Sequence, residues 1–331
     1  MIMNKQYIDH SDIIKGPFQL SIDITNNCNY RCLHCYNFSG ENNCVQNELT
    51  DEEFMSLIDD VAKMKPLSVC LCGGEPLLRK ELLFKSINKL ASAGIDVAFV
   101  SNGFYLTKDI VKKIKKAGLS RIQLSLDGLK GSHDKLRGFD GAYEKVLIAL
   151  KNLKDENINT GIAFTPTKWN IEDFEEIVKI CDKYKVNELR LQRTMPIGRG
   201  SENDIVPDEV QYRKLKKKFH RLKSEYTKLR FEWGDAVDHL IRFPKYNKMC
   251  CPFISIKANG NIVPSMYLPV SVGNVKRHSL LEYWDQGLGR VWSNQFLQNV
   301  ASNILCMNEL NLIQTNLPRN FKEEDLDMDI L

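Results

Sequence analysis

Cys28-Asn29-Tyr30-Arg31-Cys32-Leu33-His34-Cys35-Tyr36 follows directly on an apolar, strand-like run, Phe18–Ile24 (FQLSIDI). Three thiols spaced C-x3-C-x2-C lie in a segment too short to wrap a metal completely with its own side chains. Three readings are open: buried thiols, a zinc site completed by His34, or three corners of an iron–sulfur cube whose fourth iron stays free for a small molecule. Structural zinc takes four protein ligands, and His34, adjacent to Cys35, is expected to point away from an ion that Cys35 chelates. The iron–sulfur reading gains from the next motif, after the apolar run Ser68–Cys72 (SVCLC). There Gly73-Gly74-Glu75-Pro76 offers two glycines for close backbone approach to a ligand, a carboxylate for an ammonium group, and a rigid exit.

Around these motifs, short apolar runs alternate with amphipathic helical segments through the first two-thirds of the chain. DVAFV, RIQLSL, TGIAF and ELRLQ read as further strands, making six. Thr50 and Glu53 have capping-box spacing ahead of a helix whose face is Phe54, Leu57, Ile58 and Val61. Helices are expected over 82–93, closed by Gly94, and near 108–117, 143–156 and 171–184. Strands alternating with helices predict a parallel sheet with right-handed crossovers and functional groups at its C-terminal strand ends. The motifs fall at such ends.

Bulk properties exclude several classes. With 43% hydrophobic and 27% charged residues in 331, the composition is that of a folded globular chain. A net charge of +4 gives no global basic field for nucleic acid. The first residues lack the apolar core of a signal peptide and no run reaches membrane-span length, so a cytoplasmic protein with no membrane partner is expected. Ten cysteines without an export signal point to metal ligation or catalysis rather than disulfides.

Together the cysteine triad and GGEP resemble the radical S-adenosylmethionine (SAM) superfamily over roughly residues 18–193. The resemblance implies a partial (β/α)6 TIM barrel with a small α+β C-terminal extension. It implies that Cys28, Cys32 and Cys35 hold a [4Fe–4S] cluster whose open iron chelates the amino and carboxylate groups of SAM. Gly73, Gly74, Glu75 and Pro76 would receive the methionine amino group, and His34 and Tyr36 would lie against adenine. Ser101 and Asn102 at the third strand end, and Ser125 and Asp127 at the fourth, would contact ribose and methionine. Arg137 resembles an arginine that pairs with the SAM carboxylate, a role that suits a bidentate fork.

The last third resembles a reduced SPASM or twitch domain, an extension that often binds auxiliary iron–sulfur clusters. MPIGRG at 195–200, Cys250, a hairpin turning at Asn259-Gly260, GNV at 273–275 and a helix around Leu280–Trp292 with Leu281 and Trp284 carry the likeness. Ser265 stands where a cysteine is expected, and only Cys306 remains of a C-x2-C pair. Cys250, Cys251 and Cys306 are therefore open to three readings: one auxiliary cluster, completed by Cys44 or a non-cysteine ligand; a hydrogen-atom donor to a substrate radical; or inert packing. Cys70 and Cys72 share a strand face and are expected to pack inside the barrel. Cys181 reads as structural, and His133 as a hydrogen-bonding loop residue.

The expected layout is an N-terminal segment (1–17), a radical SAM core (18–200), a linker and basic helix (201–235), a SPASM/twitch-like domain (236–318) and a frayed acidic tail (319–331). The basic helix carries nine Lys or Arg against one Glu between Arg213 and Arg230 and reads as a solvated face or a docking surface for an acidic peptide. The first functional expectation is a maturase that crosslinks, epimerises or oxidises a ribosomally made peptide, fed by a flavodoxin or ferredoxin. Only about seventeen residues precede the first strand, so leader recognition is expected from a separate leader-binding protein or from the barrel mouth itself. The alternatives are an enzyme acting on a small molecule or tetrapyrrole, and a non-enzymatic metal-dependent binding protein.

Overall fold

A computed structural model describes residues 15–41, 46–235, 237–242, 251–304, 306, 309–310, 317–318 and 322–331. The strands are β1 (Gln19–Thr25), β2 (Ser68–Gly73), β3 (Asp96–Ser101), β4 (Arg121–Ser125), β5 (Thr160–Phe164), β6 (Glu188–Gln192), β7 (Arg230–Gly234), β8 (Phe253–Ile256), β9 (Asn261–Val263), β10 (Val270–Ser271), β11 (Gly273–Asn274) and β12 (Leu326–Asp327). The helices are α1 (Asp51–Met64), α2 (Lys80–Ser92), α3 (Lys108–Lys116), α4 (Lys130–Arg137), α5 (Ala142–Asp155), α6 (Phe174–Tyr184), α7 (Arg199–Glu202), α8 (Glu209–Glu225), α9 (Asp238–Arg242), α10 (Leu280–Asp285) and α11 (Gln295–Ser302).

Ten strands form one sheet in the order β11-β9-β8-β1-β2-β3-β4-β5-β6-β7. All neighbours from β8 to β7 are parallel, the arrangement of a partial TIM barrel. The six expected strands are present, and β7 adds a seventh to the series. Its short RFEWG run carries too little periodicity to stand out after a basic helix. The hairpin at Asn259-Gly260 is also present: β8 and β9 pair antiparallel, and β8 pairs with β1. The extension thus continues the core sheet.

Alternation divides each core strand between two faces. On β1 and β2, Leu20, Ile22, Ile24, Val69 and Leu71 pack among Phe54, Ile58, Val61, Leu83 and Ile87 of α1 and α2. Ser21, Asp23, Cys70 and Cys72 therefore face the concave side, the barrel lumen. α1 has the expected capping box of Thr50 and Glu53.

Two expectations are corrected. His133 lies not in a loop but in α4, a two-turn helix closed by Gly138 in the left-handed region. The C-terminal tail is not frayed: β12 pairs with β10. Asp325 meets Lys257 at 2.6 Å with both side chains buried, and Asp329 meets Arg277 at 3.0 Å. A buried ammonium requires such a partner, so the acidic residues are recruited rather than solvated. The basic face of α8 is likewise partly engaged, Lys218 with Glu172 at 2.9 Å and Arg221 with Glu175 at 2.7 Å.

Candidate active site

The cysteine loop leaves the C-terminal end of β1. Cys28, Cys32 and Cys35 share an apolar patch with Tyr30, Phe104, Phe139 and Ala142. Tyr30 stacks on Phe139 at 4.8 Å between ring centres. Burial pushes the Cys28 thiol up to about 12 and raises Cys32 as well, although Arg137 approaches the Cys32 sulfur at 3.6 Å. Thiols so placed ionise only when a metal supplies the positive charge. Tyr30 hydroxyl, Asn29 Nδ2, His34 Nδ1 and Arg137 Nε are buried without partners in and beside this loop. A zinc site would need its ligands to converge on one point. Among the described residues, no three His, Cys, Asp or Glu do so. Three soft thiols in an apolar wall, ringed by orphaned polar atoms, fit an iron–sulfur cluster with a polar ligand beside it.

The two glycines of GGEP serve the protein first. Gly73 has φ +119°, and a Cβ at Gly74 would lie 2.0 Å from the Asn27 carbonyl oxygen. That close approach lets Gly74 N donate to Thr25 O at 2.7 Å and Glu75 N to Asn27 O at 2.9 Å, so β2 fixes the entry to the cysteine loop. Glu75 is fully buried. Its carboxylate accepts from Asn102 N at 2.9 Å, Ser101 Oγ at 3.0 Å and Leu77 N at 3.2 Å. Burial raises it to about 7 against the pull of these donors. Glu75 thus ties β2 to β3, and Pro76 opens the turn beyond it. Asn102 in turn donates to Asn29 Oδ1 at 2.8 Å.

Ser125 ends β4, half-buried. Asp127, two residues on, is fully buried and ion-paired with Arg137. Burial alone would raise the Asp127 carboxyl, but Arg137, His34 and His133 outweigh it and hold it low. His133 Nδ1 accepts from Asp127 N at 3.0 Å. Burial, reinforced by Arg137, lowers both His34 and His133 to about 4, so both are neutral near pH 7. Arg137 therefore links the Asp127 corner to the Cys32 sulfur. Tyr36 packs edge-on against Tyr267 of the extension, 5.7 Å between centres.

Sequence reading missed Arg199. Its Nε donates to Cys32 O at 2.8 Å, Nη1 pairs with Glu41 at 2.6 Å, and Nη2 donates to Ser39 O at 3.1 Å. Gly198 before it has φ +60°, and a Cβ there would lie 2.3 Å from Cys35 O. The MPIGRG segment, noted as a connector, is thus a clasp on the cysteine loop. Its two closely spaced glycines around an arginine were the available signal.

Neither of the described C-terminal cysteines joins the triad. Cys251 is buried just before β8, at the N-terminal end of the sheet, and its Sγ donates to Phe253 O at 3.0 Å. Cys306 is exposed. Cys44 and Cys250 lie outside the described residues. Ser265 is buried and hydrogen-bonded to His239 at 2.8 Å. A surface cleft of about 290 Å³ lies on the extension, lined by Val272, Arg290 and Ile330 among others, with no wall from the cysteine loop.

The geometry gathers three soft thiols and a polar cradle at the C-terminal ends of parallel strands. The Radical SAM superfamily model matches residues 22–181. The chain belongs to the radical SAM superfamily. It is a radical SAM enzyme, and its cofactors are a [4Fe–4S] cluster and SAM; the non-enzymatic reading falls. The chain is 27% identical over 293 residues to the AdoMet-dependent heme synthase of Methanosarcina barkeri, covering 82% of each. It is 24% identical over 310 residues to the sporulation killing factor maturation protein SkfB of Bacillus subtilis, covering 91% of this chain and 72% of that one. In fold it is similar to Streptococcus suis SuiB bound to SAM, with TM-score 0.72 and 18% identity over 93% of this chain and 77% of that one. SuiB bound to the precursor peptide SuiA gives the same TM-score, 0.72, over 95% and 76%. No helix among the described residues is long and apolar enough to cross a membrane.

Proposed function

We propose that Cys28, Cys32 and Cys35 hold the cluster and that the enzyme modifies a ribosomally made peptide by crosslinking, epimerisation or oxidation. When bound there, the cluster and SAM would supply one-electron radical chemistry able to abstract a hydrogen atom from the substrate. The chain's own residues bind and orient. Arg199 and the two glycines of GGEP fix the cysteine loop. Asn102, Ser125 and the Asp127–Arg137 pair border the SAM cradle, and neutral His34 and Tyr36 offer flat surfaces beside it. In this reading residues 18–200 are the catalytic core and 236–318 a SPASM/twitch-like extension, which reaches the lumen through Tyr267. A flavodoxin or ferredoxin would supply electrons.

The polar lumen carries the choice of a peptide. Asp23 and Ser255 are buried there, and Asp23 Oδ1 and Ser255 Oγ have no partner. A carboxyl group and a hydroxyl suit the amide N–H and C=O groups of a peptide. SkfB, a maturation protein by name, supports the same reading. The heme synthase similarity, spanning 82% of both chains, favours a tetrapyrrole as second reading. Anaerobic assays with SAM, a reductant and either a short peptide encoded beside the gene or an iron porphyrin separate the two. Stimulation of 5′-deoxyadenosine formation and a mass change confined to the porphyrin arm would overturn the peptide reading.

A further inference from the structure

Besides the triad, the chain holds a pair of cysteines in the lumen to which this reading assigns no task. Cys70 and Cys72 project from one face of β2, both half-buried, and Cys72 Sγ donates to Cys70 Sγ at 3.3 Å. Ser21 Oγ on β1 donates to Cys72 at 3.6 Å. The Cys72 S–H, with Arg121 and Arg190 across the lumen, draws Cys70 toward the thiolate, while Cys72 is held as the thiol. The pair is therefore asymmetric: Cys72 Sγ donates and Cys70 Sγ accepts.

Strand register supplies what surrounds it. Asp23 lies beside Cys72, and Ser255 beside Ser21. Asp23 and Ser255 are both buried with an unpartnered oxygen, so the wall next to the dithiol is set to hydrogen-bond something that the chain does not provide. Ala98 neighbours Cys70 on β3, and Gly161 and Ala163 stand on β5, all small residues. Cys72 immediately precedes Gly73 of the cradle, and Tyr36 senses both Cys35 and Cys72. The dithiol thus lies just below the strand ends, where a substrate carbon facing the cradle would sit.

We propose that Cys72 is a hydrogen-atom donor to a carbon radical on the substrate, with Cys70 as its electronic partner. This deepens the proposed function and rests on it. The S–H bond of Cys72 breaks homolytically, a C–H bond forms on the substrate, and the unpaired electron remains on sulfur. The Cys70 thiolate shares that electron across the short gap as a three-electron S–S bond. One electron from the flavodoxin- or ferredoxin-class donor and one proton from solvent then restore the Cys72 thiol. The substrate carbon loses one hydrogen atom and gains another, so its oxidation state is unchanged. Among the three outcomes above, this selects epimerisation. The role falls to β2, because Cys251 lies at the opposite end of the sheet.

The test uses the reconstituted full chain with SAM and titanium(III) citrate in D2O, without substrate, so that the 5′-deoxyadenosyl radical is the carbon radical in the lumen. The expected product is 5′-deoxyadenosine bearing solvent deuterium through exchange at the Cys72 thiol. Cys72→Ser is expected to lower the labelled fraction about tenfold while 5′-deoxyadenosine still forms. Unlabelled 5′-deoxyadenosine, or equal labelling in Cys72→Ser, overturns the donor assignment and leaves the radical chemistry standing. Absence of 5′-deoxyadenosine overturns both. A readout independent of turnover is capture by phenylarsine oxide, which bridges two neighbouring thiols. One adduct is expected on the peptide carrying Cys70 and Cys72 in the cluster-loaded protein, and none there in Cys70→Ser. No adduct in the unaltered protein overturns the pairing.

Discussion

Arg199 Nε donates to the carbonyl oxygen of Cys32 at 2.8 Å, joining residues 167 positions apart. The same guanidinium reaches Ser39 O and Glu41, so one side chain closes both halves of the cysteine loop. Lysine cannot reproduce a fork that serves three acceptors at once.

Arg199→Lys is expected to lose about 2–3 kcal/mol of stability, from charge-assisted hydrogen bonds broken and buried carbonyls left unmet. Iron retention on gel filtration should fall in parallel. A urea midpoint and iron content equal to those of the unaltered protein would remove the clasp from the account.

Cys32→Ala leaves the Cys32 carbonyl in place, so Arg199 still closes the loop and the chain should fold. Only the thiol is lost, and with it one of three proposed iron ligands. Iron and sulfide assays are expected to show loss of most of the cluster, with 5′-deoxyadenosine formation abolished. A full iron complement in this variant refutes the ligand assignment.

Gly74→Ala places a methyl group 2.0 Å from the Asn27 carbonyl oxygen, which the neighbouring backbone hydrogen bonds hold still. The expected cost is about 3 kcal/mol, near the upper end for overpacking. Gly94→Ala is the control: φ is +81° but nothing lies within 4 Å, so about 1 kcal/mol is expected from backbone strain alone. Equal unfolding midpoints for the two variants would show that the close approach of β2 to the cysteine loop is not what requires Gly74.

Asp23 gives the lumen a pH dependence. Burial raises its carboxyl from 3.8 to about 7, with Lys257 partly opposing and Glu48 adding to the rise. The folded state then binds the proton more tightly than the unfolded chain. Its contribution to stability is fully present below about pH 4 and is lost as pH rises through about 7. Relative to Asp23→Asn, the unaltered protein should lose on the order of 3 kcal/mol between about pH 4 and about pH 8. Parallel pH profiles from chemical denaturation would contradict a buried, proton-holding Asp23.

Residue types and spacing disclosed the cysteine triad, GGEP and the six alternating strands, and hence the class of fold; the cofactors followed from the family resemblance those motifs carry. Those signals are local: the triad and GGEP each span only a few residues, and amphipathic periods repeat within one element. The sequence could not show that Glu75 would be enclosed by Ser101 and Asn102, or that His133 would lie in a helix beside Asp127. Each depends on partners brought together by strand pairing.

What the chain's order of residues determined is the chemistry available at the ends of β1 to β4. Tertiary structure decided which groups meet: Arg199 with Cys32, Asp127 with Arg137, and the acidic tail with Lys257 and Arg277. The physical reason is burial. Long-range packing removes these groups from water, and only then do charge pairing, hydrogen-bond satisfaction and glycine close approach fix their partners.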